Sequence, residues 1–355
     1  MNLYDYIIRS SAAALELQTT DGSMPPGHNG PYNDPETPVR TTSHWLITFL
    51  KTYEITGEQK YREAAERAAQ YLLSGEHRPH NATFWCLKSS KNHPSNGLIG
   101  QAWVIEALTY AADKLDMQKC YKLAETLFLL HPWDTQKKAW RKVHINGSID
   151  IFDYTFNHQL WFAAAASLLK NTPEAQERSK VFADNLNKHM RLYKTGVIKH
   201  LNPYFIGRMI DLPKAPLKLM YFYGLHRNYY YLKAAGYHGF NLYALSILKK
   251  SFHSIQLPAS ISLQKLFSPI QEKLFISELD RSPYSYPYNP AGIEIAYALE
   301  TFYPDRVGQV KEWLHLQFSK TWDEQHDMMW KNSADPTTNA ARIYEGVRLN
   351  NYVIF

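Results

Sequence analysis

Only two cysteines, Cys86 and Cys120, occur in 355 residues. Two thiols without metal-type spacing make neither a disulfide framework nor a zinc set, so a reducing cytosol is the expected compartment. No apolar run approaches the length of a membrane-spanning helix. The start, Met1-Asn2-Leu3-Tyr4-Asp5-Tyr6, lacks the charge and apolar core of a signal peptide, so a soluble, cytoplasmic protein is expected. An excess of one charge is missing as well. The formal net charge of +6 is spread without a basic block, which disfavours nucleic acid as a partner and leaves a mild attraction for anionic substrates. Neither His-Glu-x-x-His, nor a phosphate-binding glycine loop, nor Gly-x-Gly-x-x-Gly, nor Gly-x-Ser-x-Gly occurs. Metal and nucleotide cofactors are therefore not implied, and a serine hydrolase has no support.

Aromatic residues are plentiful, at 14% with 25 Tyr and 9 Trp. Such residues either fill a helical core or stack on ligands such as sugars. The chain is organised around Asp153-Tyr154-Thr155-Phe156-Asn157-His158-Gln159-Leu160-Trp161. This stretch follows a long loop and runs into the apolar segment Phe162–Leu169. Polar residues thus sit on the first turn of a helix that is apolar all round, a helix surrounded by other helices. Backbone N–H groups of that turn have no partner within the helix.

The design recurs. Small, apolar helices begin near residues 41, 98, 154, 238, 290 and 339, at intervals of mostly about 50 to 60 residues. Each follows a long aromatic loop, and amphipathic, charged helices alternate with them, giving about twelve helices. Thr41-Thr42-Ser43 reads as the N-cap of the second helix. The segments 74–96, 132–153 and 191–236 read as loops, and a helix is expected around 260–275. Trp133-Asp134-Thr135-Gln136…Trp140 resembles Trp322-Asp323-Glu324-Gln325…Trp330 with one residue inserted, and Asp21-Gly22-Ser23-Met24 stands at the equivalent place after the first helix.

Six helical hairpins with an inner and an outer ring describe an all-α, (α/α)6 toroid, expected as a single domain over 1–355. All six inner N-termini then open at one end, where their partial positive charge favours carboxylates. The rim is expected to carry Arg40, His44, Asn96, Gln101, Asn157, His158, His238, Asn241, Asn289, Glu294, Arg342 and Glu345. Asp34 and Tyr288 lie in loops leading to it. Arg342 and Glu345, three apart, are expected to pair. Loop tryptophans, Trp140 and Trp330 among them, are candidate sugar platforms, while Trp45, Trp103 and Trp161 read as core.

On this pattern the chain resembles the six-hairpin glycosidase-like superfamily over nearly its whole length. The nearest resemblances are to unsaturated-glucuronyl hydrolases, the toroid domains of uronate polysaccharide lyases, and toroid proteins encoded in glycan-assembly gene clusters. Asn157-His158 after Tyr154, and Asn96-Gly97 before Trp103, look most like the last group. Leu17-Gln18…Asp21-Gly22-Ser23 also looks like the terpene-cyclase repeat, but the Asp-x-Asp-Asp motif is absent. The resemblance implies a carbohydrate-active enzyme acting on an acidic, uronate-containing oligo- or polysaccharide, with no cofactor.

Hydrolysis is expected ahead of lyase or epimerase chemistry, with a non-catalytic glycan-binding or assembly protein as the rival class. For hydrolysis, Asp153 would be the catalytic acid, with Asp34 or Glu294 as its second carboxyl. Elimination would instead neutralise a uronate with Asn157, Arg40 or a histidine, and take the C5 proton with Tyr237, His158 or His238. The simpler role for Asp153 is helix capping.

Overall fold

The computed structural model describes residues 1–89, 93–201, 224–252 and 261–354. Six outer helices alternate along the chain with six inner ones. The outer helices are α1 (Leu3–Leu15), α3 (Gln59–Leu73), α5 (Gln118–Leu130), α7 (Pro173–Asp184), α9 (Lys273–Arg281) and α11 (Val307–Thr321). The inner ones are α2 (Val39–Thr56), α4 (Gly97–Lys114), α6 (Phe156–Ala166), α8 (His238–Ser251), α10 (Ala291–Phe302) and α12 (Pro336–Ala341), the last continued by a 3-10 segment, Arg342–Arg348.

Composition decides which ring a helix joins. The outer helix α3 buries Tyr61, Ala64, Ala65, Ala68, Ala69 and Leu72 on one stripe and turns its charges outward. The inner helix α4 buries nearly every residue from Gly97 to Leu108. Each inner helix packs on the next: α2 on α4, α4 on α6, α6 on α8, α8 on α10. The 3-10 segment after α12 then joins α10 back to α2. The ring is closed, and the fold is an (α/α)6 toroid.

Local signals set the boundaries. Asn2 and Asp5 form a reciprocal capping box at the start of α1, at 2.9 and 2.7 Å. Gly57, in the left-handed region at φ 71°, ends α2. The expected cap at 41–43 is corrected: α2 begins earlier, behind Pro38. Proline is tolerated there because the first-turn N–H has no helical partner. Thr41 and Ser43 then donate back to carbonyls of their own turn, and Thr42 accepts from Met24 N–H.

The segment 132–153, read as a loop, holds an antiparallel sheet of β1 (Trp133–Asp134), β2 (Ala139–Val143) and β3 (Ile149–Phe152). Within 191–236 a helix spans Arg227–Gly236 and carries Tyr229-Tyr230-Tyr231. The Tyr221-Phe222-Tyr223 cluster lies outside the described residues. The expected 260–275 helix is instead Leu263–Phe267 and α9, separated by a 3-10 turn at Pro269–Gln271. Proline cannot supply the N–H a continuous helix needs.

The tryptophan repeat is physical. Asp134 Oδ1 accepts from Gln136 and Lys137 N–H, and Asp323 Oδ1 from Gln325 and His326 N–H. Each turn then closes through a residue at φ 53°, Lys138 or Asp327. A second repeat pins loops to inner helices. Gln101 brackets the Phe84 backbone N–H and carbonyl, and Gln159 does the same to Trp140.

Candidate functional site

A cavity of about 630 Å³ opens where the long loops meet the inner-helix N-termini. Of the residues singled out from sequence, Asp34, Asn96, Asp153, Asn157, His158, Tyr237, Tyr288, Asn289 and Arg342 line it.

Asp153 lies at the junction of β3 and α6. Its Oδ1 accepts from Thr155 N–H just ahead of α6 and its Oδ2 from Leu98 N–H of α4 at 3.5 Å, which corrects the simpler reading: no side chain caps α6. Its Oδ2 lies 2.7 Å from His158 Nδ1. Burial raises the Asp153 carboxyl, but His158, Lys142 and the Thr155 N–H outweigh it and leave its pKa at about 2. It is an ionised group that orients His158, whose Nδ1 is spent on it; Nε2 is the ring nitrogen left for chemistry in the cavity. Asn96-Gly97 makes room for this pair. Gly97 stands at φ 59°, and a Cβ there would lie 2.6 Å from Asp153 Oδ2.

Four buried polar atoms of cavity-lining residues have no protein partner among the described residues: His93 Nε2, Trp103 Nε1, Asn157 Oδ1 and His200 Nδ1. Such atoms await a ligand's hydroxyl or water. His200 stacks on Tyr237 at 4.8 Å. Burial, then Lys233 and His158, hold its pKa well below the ordinary histidine value. Tyr237 OH lies 2.8 Å from Tyr32 OH, and burial raises its phenol well above the usual range, so it serves as a neutral hydrogen-bonding group. Lys233 Nζ sits 4.8 and 4.7 Å from the Tyr32 and Tyr284 ring centres, and burial lowers it to about 8. No carboxylate lies within ion-pair distance of it among the described residues.

Arg342 forms part of the floor, over the Phe240 ring at 5.2 Å. It donates to Glu345 (2.7 Å), Asn289 (2.9 Å) and Glu294 (2.9 Å), the first being the pair expected from spacing. Burial raises both carboxyls, Glu294 further through Glu345.

The other expected site residues belong to the scaffold, which corrects their placement on the rim. His238 is buried, with Nδ1 accepting from Ile198 N–H at 3.3 Å and Nε2 donating to Leu266 O at 3.1 Å. Both nitrogens are therefore occupied, and burial pushes its pKa to about 4. His44 is sealed between Tyr344, stacked at 4.0 Å, and Trp103. Arg40 lies behind the cavity wall, 4.2 Å over Trp103, and donates to Glu36 and Asn29. Gln101 holds the Phe84 loop, and Asn241 donates to Tyr237 O within its own helix turn. Glu294 is behind Arg342. Trp140 is completely buried among Phe128, Phe162 and Phe182, and offers no platform. Trp330 packs on His326, away from the cavity lining.

Lys142, His144, His200 and Lys233 line the cavity without having been picked out from sequence. None lies on a periodic helix face near a motif. Two are on the hairpin read as loop, and Lys233 precedes the expected helix start.

The geometry can be set beside known proteins. No known sequence-family model matches the chain. Among solved structures, a D-mannose isomerase superposes with TM-score 0.62 at 16% identity, covering 98% of this chain and 97% of that one. An unsaturated glucuronyl hydrolase specific for heparin gives 0.55 at 13% identity, covering 97% and 96%. These likenesses show the fold, an (α/α)6 toroid. In sequence, archaeal glycosylation protein Q of Haloferax volcanii is 41% identical over 377 residues, covering 100% of this chain and 99% of its own length. The chain belongs to the archaeal glycosylation protein Q family.

Proposed function

We propose that this chain is a carbohydrate-active enzyme of glycan assembly that moves a proton on the carbon next to a sugar carbonyl, an isomerase or epimerase, with an acidic sugar as substrate. The observation that carries the reading is the Asp153–His158 pair, with Nδ1 held at 2.7 Å on a buried carboxylate. A carboxylate so placed fixes the tautomer and leaves Nε2 as the ring nitrogen free to take a proton. His158 takes the C2 proton of an open-chain sugar and returns it to C1, or, once the enediolate has turned over, to the other face of C2. The enediolate oxygen forms beside cationic and hydroxyl donors. Asn157 Oδ1 and His200 Nδ1, unpartnered and buried, suit sugar hydroxyls.

Hydrolysis, expected first from the sequence, fits this geometry less well. It needs a protonated carboxyl beside a second one, whereas Asp153 is held at about 2 by its ion pair. Lys233, the amine between Tyr32 and Tyr284, supports an acidic substrate, since a desolvated cation without a protein carboxylate gains most from one on a ligand. The glycosylation relative supports a place in glycan assembly, and the two buried thiols suit a reducing cytosol. The whole ring is taken to act as one domain.

The test is incubation with aldoses, uronates and oligouronates in D2O. Proton NMR reports C2 exchange, alongside released reducing ends and absorbance near 232 nm. Deuterium at C2 with a ketose or epimer as product supports the proposal. New reducing ends without exchange would replace it with hydrolysis, and new absorbance with elimination. Silence in all three channels with sugar still bound would leave a glycan-binding protein.

A further inference from the structure

At the mouth of the cavity, His93, His144 and Asp150 bring one ligand atom each within 4.8 Å of one another. His144 Nε2 lies 3.4 Å from Asp150 Oδ2 and His93 Nε2 lies 3.7 Å from the same oxygen. Two imidazoles and a carboxylate bound tetrahedrally at about 2.0–2.2 Å from a zinc ion stand roughly 3.3 Å apart. The third separation, His93 Nε2 to His144 Nε2, falls within the same 4.8 Å, and the two rings are stacked with centroids 3.8 Å apart at 19°, so ligation requires the imidazoles to turn edge-on toward a common ion.

The hydrogen bonding around His93 leaves a position for a cation. Ser95 Oγ lies 2.6 Å from His93 Nδ1 and 3.2 Å from the Val143 carbonyl oxygen. A hydroxyl has one proton and a carbonyl can only accept, so Ser95 donates to Val143 and accepts from His93 Nδ1–H. His93 Nε2 then presents a lone pair. It is buried and has no hydrogen-bond partner. A lone pair and a carboxylate oxygen facing each other repel unless a positive ion lies between them.

The frame is rigid where it needs to be. His144 N–H donates to Ser148 O across the hairpin turn, and Asn146 Oδ1 accepts from both Ser148 N–H and its hydroxyl. The hairpin thus sets His144 and Asp150 opposite each other, while Ser95 ties the loop of His93 to β2. An outer partner that orients a ligating histidine is a regular part of metal sites.

We propose that His93 Nε2, His144 Nε2 and Asp150 Oδ2 form a binding site for a divalent transition metal, zinc foremost, with its fourth position open to the sugar cavity. His93 and His144 both line that cavity, so a water or sugar hydroxyl on the ion would stand inside it. Lys142 is the built-in competitor. Its Nζ lies 3.2 Å from the same Asp150 oxygen and supplies the positive charge when the metal is absent. The site stands whichever sugar reaction the cavity performs.

The test is calorimetric titration of zinc chloride into the chelator-treated full chain, with bound metal counted by elemental analysis. One zinc per chain is expected, with affinity at least ten-fold weaker in His144→Gln and Asp150→Asn, and tighter in Lys142→Met. Circular dichroism checks that each variant is folded. Zinc-free wild-type protein would overturn the proposal, as would wild-type affinity in the ligand variants, which would place the zinc on other histidines. Should the ligand variants fail to fold, Lys142→Met keeps all three ligands and still decides. Unchanged or weaker binding there overturns the site.

Discussion

The side of the cavity built on the hairpin and the start of α6 collects ionisable groups: His93, Lys142, His144, Asp153 and His158. The side built on the loops before α2, α8 and α10 collects Tyr32, Tyr237 and Tyr288, with Lys233 and Asp34 as its charged members and His200 stacked on Tyr237. On the first side each charge has a counter-charge within reach, as in His158 with Asp153 and Lys142 with Asp150. On the second, the amine faces rings. Paired groups on a stiff hairpin hold protonation states and move protons; an unpaired amine among aromatic faces recognises charge. Under the proposed function the difference divides chemistry from recognition, and each side can be attacked separately.

The largest effect is expected on the hairpin side. His158→Gln keeps a hydrogen-bonding side chain near Asp153 but removes the imidazole Nε2. C2 exchange should fall by roughly 10²–10⁴-fold, the range for loss of a positioned acid–base group, with sugar binding retained. Exchange at the wild-type rate would remove His158 from the reaction and dissolve the division between the two sides.

Most of the fold was legible from sequence, because burying a helix on all sides leaves a long apolar signature. The six inner starts expected near 41, 98, 154, 238, 290 and 339 are helices beginning at 39, 97, 156, 238, 291 and 336. The hairpin was not legible. β2 has five residues and β3 four, and the intervening His144–Ser148 turn carries the Asn and Gly that mark a loop equally well. The site followed the same rule. Asp153, Asn157 and His158 stand on a helix start, where local sequence predicts exposure to the cavity. His93 meets His144 only where the loops before the neighbouring helices α4 and α6 pack together, and no local spacing encodes that. His238 and Gln101 misled for the converse reason. A polar residue on an inner first turn can point at a loop backbone as readily as at a ligand.

The next effect concerns what the hairpin stands on. His131 is buried, its Nδ1 donating to the Arg141 carbonyl of β2 at 3.0 Å. Burial lowers its pKa to about 4, with the Arg141 carbonyl acting the other way. It stays neutral in the fold, while in the unfolded chain it takes a proton below about 6.5. The unfolded state therefore binds more protons between these values, and stability falls as pH drops through that window and is fully present above it. Between pH 7 and 5 this residue should cost about 2 kcal/mol at 1.36 kcal/mol per unit. Urea unfolding of wild type and His131→Asn at both pH values measures it, since the other buried histidines cancel in the difference. Equal pH dependence in the two proteins would show that the hairpin does not rest on a neutral His131.

The smallest effect belongs to the tyrosine side and is the most selective. Lys233→Met retains the stem packed between Tyr32 and Tyr284 and removes only the charge. A charge-assisted hydrogen bond contributes about 1.5–3 kcal/mol. KM for an acidic sugar should therefore rise by roughly ten-fold or more, while kcat, set by the hairpin side, and KM for the neutral counterpart barely change. The lysine's pKa of about 8 adds a signature. Lys233 is cationic below that value and loses its proton above it, so preference for the acidic sugar should fade as pH rises past 8 in wild type and be absent at every pH in the variant. An equal rise in KM for both sugars would mean that Lys233 shapes the cavity instead of reading charge. A fall in kcat with KM unchanged would mean that recognition and chemistry share this residue.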